Sequence, residues 1–238
     1  TRILAATEKF ATASKTESFD RDGHAELAAE VAADSAVLMK NDGTLPLDRT
    51  KPLCVIGVLF EKMRYQGSGS SMISPTRVVT HKDAFDERGI RYEYARGYSA
   101  GADPAEGEPI AEAVALAEKY DTVLLYVGLT DLAESEGGDR AHMRLPEDQL
   151  ELVRALIKTG KRIVVVLSGG SPVELPFAGG VNAILNLYLP GQCGGEAGAR
   201  LLFGEANPSG KLAETWYGSY ADVPYGDEYS KKYNELYK

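Results

Sequence analysis

Four carboxylates crowd one short stretch of this sequence. Leu129-Thr-Asp-Leu-Ala-Glu-Ser-Glu-Gly-Gly-Asp-Arg140 carries Asp131, Glu134, Glu136 and Asp139 within nine positions. The glycines at 137 and 138 let the backbone bend, so that Glu136 can project from the loop into a cleft. A carboxyl group in a partly dry pocket has its pKa raised and can donate a proton near neutral pH. Taken by itself, however, the stretch reads first as a solvated acidic loop with a surface pair between Asp139 and Arg140. The general-acid reading needs support from elsewhere in the chain.

Three glycine-rich stretches compete with it. Gly191-Gln-Cys-Gly-Gly195 has the shape of a nucleophile elbow with Cys193 in the serine position. Such a thiol needs a histidine base, which follows the nucleophile in hydrolases of that build. His24, His81 and His142 all precede it, so a glycine-rich turn with a buried thiol is the better reading. Gly67-Ser-Gly-Ser-Ser71 is a partial dinucleotide fingerprint, but Met72 stands where the third glycine belongs. It is a turn, or a place where backbone amides and the hydroxyls of Ser70 and Ser71 meet a polar ligand. Gly204-Glu-Ala-Asn-Pro-Ser-Gly-Lys211 is one residue too long for a phosphate loop, and Leu212 replaces the magnesium-binding hydroxyl. It reads as a tight turn.

These loops hang on an alternating series of strand and helix signals. Leu53–Gly57, Arg91–Ala95, Thr122–Val127, Arg162–Leu167 and Val181–Leu189 read as strands, several of them continuous apolar runs of the buried, parallel kind. Helices fit His24–Met39, Glu108–Lys119, Pro146–Lys158 and Gly194–Phe203, with a further helix opened by Pro75 and a last short strand over Lys211–Trp216. In the first helix Leu27, Val31, Ala32, Ser35 and Leu38 recur at helical spacing. The expected fold is an α/β protein, a three-layer α/β/α sandwich with a mostly parallel sheet. Its body spans 23–216, after a helical tail over 1–22 and before a linker or surface wrap over 217–238. Sites in such sheets form outside the carboxyl ends of the strands, where the acidic loop lies.

The bulk numbers narrow the partners. A net charge of −9 and a pI near 5.0 speak against nucleic acid and anionic membrane surfaces. No apolar run is long enough to span a bilayer. Cys54 and Cys193 have neither metal-ligand spacing nor a disulfide framework, and no cofactor or metal is expected. The start has no signal-peptide character, which leaves the compartment open with the cytoplasm ahead of secretion.

An ordered series of segments covering nearly the whole chain resembles glycoside hydrolase family three, in its second domain, the α/β sandwich that follows a catalytic barrel. Ala28-Ala-Glu-Val-Ala-Ala-Asp-Ser-Ala-Val-Leu-Met-Lys-Asn-Asp-Gly-Thr-Leu-Pro-Leu47 is similar to that domain's opening helix and its exit. Gly67–Ser71 stands in the place of its glycine/serine loop, and Glu134-Ser-Glu-Gly-Gly-Asp-Arg140 in that of its acid/base loop. Pro190-Gly-Gln-Cys-Gly-Gly-Glu-Ala-Gly198 and Leu202-Phe-Gly-Glu-Ala-Asn-Pro-Ser-Gly-Lys-Leu212 match its late signature, which accounts for the elbow-like glycines without cysteine chemistry.

The resemblance implies a retaining β-glycosidase of β-glucosidase type, in which two carboxyl groups flank the scissile bond. By motif position the acid/base falls on Glu136, with Glu134 as the fallback, and Asp139 and Arg140 support the loop. Ser70 and Ser71 are expected to touch the sugar or aglycone of a β-glucoside or oligosaccharide. The aspartate nucleophile belongs to the barrel, which this sequence does not contain, and a fibronectin-like module often follows the sandwich. The resemblance therefore implies a piece of a larger enzyme, inactive alone. The competing expectations are a non-catalytic carbohydrate-binding or assembly domain and, behind it, a Cys193 hydrolase.

Overall fold

The computed structural model describes residues 1–13, 18–99, 108–138 and 140–224. All four residues of β2, Leu53–Ile56, are buried. A run with no polar face fits only a strand covered on both sides. The same holds for β4, Thr122–Gly128, β5, Arg162–Ser168, and β6, Ala183–Tyr188, each buried along nearly its whole length. With β1, Val37–Asn41, and β3, Tyr92–Ala95, they form a sheet of order β1-β6-β5-β4-β2-β3. Every pairing is parallel except that of β1 with β6.

Successive side chains alternate between two cores. Val123, Leu125 and Val127 face α4, Pro109–Ala117, and α5, Glu147–Ile157. Leu124 and Tyr126 face α2, Arg21–Ser35, α3, His81–Glu87, and α6, Gly194–Leu202. The result is the expected three-layer sandwich. A preceding helix, α1, Arg2–Ala11, buries none of its residues. No helix among the described residues is long and apolar enough to cross a membrane.

Four local expectations differ from what forms. The helix expected to reach Met39 ends at Ser35, and Val37–Asn41 becomes β1. Its face is also turned: Ala32 is buried as expected, but with Ala29 and Ala33 beside it, whereas Leu27 and Val31 are 56% and 59% exposed. Small side chains let α2 approach the sheet and α6 closely, and β1 caps the apolar edge that β6 would otherwise leave open. No helix starts at Pro75. The next one, α3, starts at His81 behind a capping box in which the Thr80 hydroxyl accepts from the Asp83 amide and the Asp83 carboxylate from the Thr80 amide. Lys211–Trp216 forms no strand, and the Lys211 ammonium folds back onto the Ser209 carbonyl at 2.7 Å. Of the C-terminal stretch, Tyr220–Asp222 makes a short 3-10 turn, and the Tyr220 amide donates to Glu174 at 2.9 Å. Residues 225–238 lie outside the described residues.

Candidate active site

The acidic loop leaves the carboxyl end of β4, where two ties hold its root. The buried amide of Gln149 donates to the Gly128 carbonyl and accepts from its N–H, at 3.0 and 2.9 Å. The Leu129 amide donates to the Ser168 carbonyl at the end of β5. The loop then runs beside the glycine/serine loop that follows β2. Ser68 and Ser135 form a one-residue parallel bridge, and the Ser68 hydroxyl donates to the Asp131 carbonyl at 3.1 Å. Gly69 takes φ +92° in this bend, and a Cβ there would stand 2.6 Å from the Glu136 Cβ. Only glycine lets the two loops meet this closely.

Glu136 sits at the exposed tip of that pair. One carboxylate oxygen, Oε2, accepts from the Ser70 amide at 2.8 Å and from the Ser70 hydroxyl. These donors favour the charged form and hold the carboxyl below its ordinary range. The expectation of a pKa raised by a dry pocket is therefore corrected for this chain: the side chain is in solvent and is stabilised as an anion. Ser70 donates to this carboxylate, and Ser71 stands exposed beside it.

Glu134 is in a different position. Its Oε2 accepts from the Arg64 guanidinium and from the Gly170 amide at 2.9 Å, and its Oε1 from the Ser171 hydroxyl. Burial pushes its carboxyl up, but the donors of Ser171, Gly170 and Arg64, with the Arg64 charge, outweigh burial and lower it on balance. Arg64, 6% exposed, also donates to Asp131 at 3.1 Å and to the Leu129 carbonyl at 3.3 Å. Arg140 donates to the Pro172 carbonyl at 2.9 Å, a tie to the loop after β5. Asp139, expected as its ionic partner, lies outside the described residues.

Sequence reasoning missed Arg64, Gly170 and Ser171. None stands in a chemical motif, and each matters only because the sheet order brings the loops after β2, β4 and β5 together. Between the ends of β2 and β4 opens a cleft of about 720 Å³ whose walls include Val58, Met63, Tyr98, Leu129 and Gln149, with Ser68 and Asp131 at its lining. The chain passes from β2 to β3 on one side and to β4 on the other, so this is the switch point where ligands gather in such sheets.

The cysteine chemistry is not assembled. Cys193 is buried at the start of α6, and desolvation pushes its thiol up despite a hydrogen bond from Gln192. No histidine serves it: both His81 ring nitrogens lack a partner, His24 stacks on Phe19, and His142 accepts from the Arg144 amide. The neighbouring glycines have a packing role. A Cβ on Gly195 would stand 2.0 Å from the Thr80 carbonyl, where α6 meets the segment leading to α3. Among the described residues no group of three or more His, Cys, Asp or Glu is placed to hold a metal ion.

Residues 36–238 match the family described as the glycosyl hydrolase family 3 C-terminal domain. The chain is 45% identical over 202 residues to the thermostable beta-glucosidase B of Acetivibrio thermocellus, covering 83% of this chain and 27% of that protein. It is 37% identical over 233 residues to an exo-alpha-(1->6)-L-arabinopyranosidase of Bifidobacterium longum, covering 88% of this chain and 31% of the relative. Its fold superposes on the crystal structure of a Bifidobacterium adolescentis GH3 beta-glucosidase with a TM-score of 0.87 at 40% identity, over 94% of this chain and 33% of that one. The chain thus spans about a quarter to a third of the length of these relatives.

Proposed function

This chain belongs to glycosyl hydrolase family 3, as its C-terminal domain, and from that premise we propose that it supplies the acid/base of a retaining β-glycosidase. The reading is of a β-glucosidase-type activity on terminal, non-reducing β-D-glycosides. A barrel domain completes it by presenting an aspartate nucleophile about 5–5.5 Å from the Glu136 carboxyl group. The observation that carries the assignment is the contrast between the two candidate acids. Both oxygens of Glu134 are taken up by Arg64, Gly170 and Ser171, whereas Glu136 stands exposed at the tip of the loops with Ser70 on one oxygen only among the described residues.

A group held as an anion in water is a poor acid near neutrality, so the environment that protonates it must arrive with the barrel. Met72, Ile73 and Leu132 stand 61%, 68% and 88% exposed on the same two loops. Covering them would remove water around Glu136 and raise its pKa, which is the usual route to a carboxylic acid at neutral pH. Glu136 then protonates the departing glycosidic oxygen and, as the conjugate base, activates water for the second step. The isolated chain lacks the nucleophile and is inactive on this reading.

The test is to assay the domain together with its barrel, as one polypeptide, on β-glucosides with good and poor leaving groups. Glu136→Ala should lower kcat on poor leaving groups by roughly 10²–10⁴-fold. It should spare formation of the intermediate from good leaving groups, and azide should rescue the second step. Full retention of activity on poor leaving groups would remove Glu136 from the role. Turnover by the isolated chain would refute the need for a barrel nucleophile.

A further inference from the structure

We infer that Arg64 and Glu134 form a positioning clamp that sets where Glu136 points, an inference that rests on the donor role proposed above. The geometry is a convergence of three loops on one carboxylate. Arg64 comes from the segment after β2, Glu134 from the loop after β4, and Gly170 and Ser171 from the loop after β5. Arg64 grips the acidic loop at three successive points: the Leu129 carbonyl, the Asp131 carboxylate and the Glu134 carboxylate. Only Ser135 separates Glu134 from Glu136, and its backbone is itself bridged to Ser68. With the approach to Glu136 fixed in this way, Arg140 ties the far side of the loop to Pro172.

Stability alone is a weak reason for such a pair. The side chains of Arg64 and Glu134 are 4% and 11% exposed, and taking two charges out of water carries a desolvation cost that their attraction offsets only with good geometry. Apolar packing of similar volume is commonly as stable, and Nη2 of Arg64 is left buried with no acceptor. What the pair supplies that apolar side chains cannot is direction. A guanidinium that divides its Nε and Nη1 between Asp131 and Glu134, and a Glu134 carboxylate that accepts from three donors, fix both distance and angle across three loops. A connection as long as that from Leu129 to Leu145, without a helix or strand among its described residues, would otherwise leave its acid free to wander.

Glu134→Gln keeps the shape and removes the charge, so it tests the clamp in the domain joined to its barrel. The expected result is a fall in kcat of about 10²-fold on poor leaving groups, the scale of a misplacement of roughly 1 Å. KM should stay within about twofold and good leaving groups should be nearly unaffected, because only the proton transfer is misaligned. In a Glu136→Ala background the same substitution should change kcat by less than about twofold, since two residues acting through one function are not additive. A merely structural role predicts equal losses for both leaving groups and effects that multiply, and that pattern overturns the inference. Should Glu134→Gln fail to fold, Arg64→Lys keeps the charge but loses the fork, and the same leaving-group signature is required of it. If Glu136→Ala shows no leaving-group dependence, the donor assignment falls and this inference with it. If Glu136→Ala shows the dependence and Glu134→Gln does not, the clamp alone falls.

Discussion

Glu134 and Glu136 are chemically the same residue two positions apart, and the fold treats them in opposite ways. Glu134 is walled in by an arginine, an amide and a hydroxyl, while Glu136 meets water on one side and Ser70 on the other. Sequence motifs named both carboxylates but could not rank them on physical grounds, because the ranking depends on Arg64, seventy positions upstream of Glu134, and on Gly170 and Ser171 downstream. The role of Ser70 is likewise a contact across 66 positions. Its two donors favour the anion, so removing the hydroxyl must move the Glu136 carboxyl up toward its ordinary range. Side-chain carboxyl titration by NMR on Ser70→Ala should show that upward move in the isolated chain. An unchanged midpoint would mean that Ser70 does not hold the acid.

Among the elements, the buried strands were the most legible part of the chain. Leu53–Ile56 and Arg162–Ser168 form close to where their apolar runs place them, since a run without a polar face has only one kind of site to occupy. The segment from His24 to Asn41 was misread because helical spacing of Leu27, Val31 and Leu38 is local, whereas the pairing of Val37–Asn41 with β6 is not. The start of α3 was readable, in the threonine and aspartate of its capping box, and the proline at 75 drew the boundary too early. The glycines near Cys193 show the same tension, resembling a nucleophile turn locally and acting as a packing surface globally. Gly195→Ala would press a methyl group to 2.0 Å from the Thr80 carbonyl, so we expect a loss of about 1–3 kcal/mol in urea unfolding. Gly179→Ala meets nothing within 4 Å and serves as the control. Equal stability of the two variants would show that α6 does not dock through Gly195.

The molecule as a whole encloses His81 completely, at the join of α3, α6 and the sheet, against the Tyr126 ring at 4.7 Å and with neither nitrogen hydrogen-bonded. Desolvation pushes its titration down from 6.5 to about 3. Between those values the unfolded chain binds more protons than the folded one. The stability that depends on a neutral His81 is therefore complete above about pH 6.5 and is lost as pH falls toward 3. Between pH 7 and 5 the native chain should lose about 2 kcal/mol more than His81→Leu, read from urea midpoints at both values. Equal losses would show that His81 does not carry this dependence. By itself the sequence determined the layered α/β class, the positions of the buried strands along the chain and the family, because continuous apolar runs and ordered motifs are properties of neighbouring residues. Tertiary structure alone decided which carboxylate is fixed and which is presented, and that Ser70 holds the acid in this chain. Those outcomes depend on three loops meeting at one end of the sheet, and no stretch of neighbouring residues carries that information.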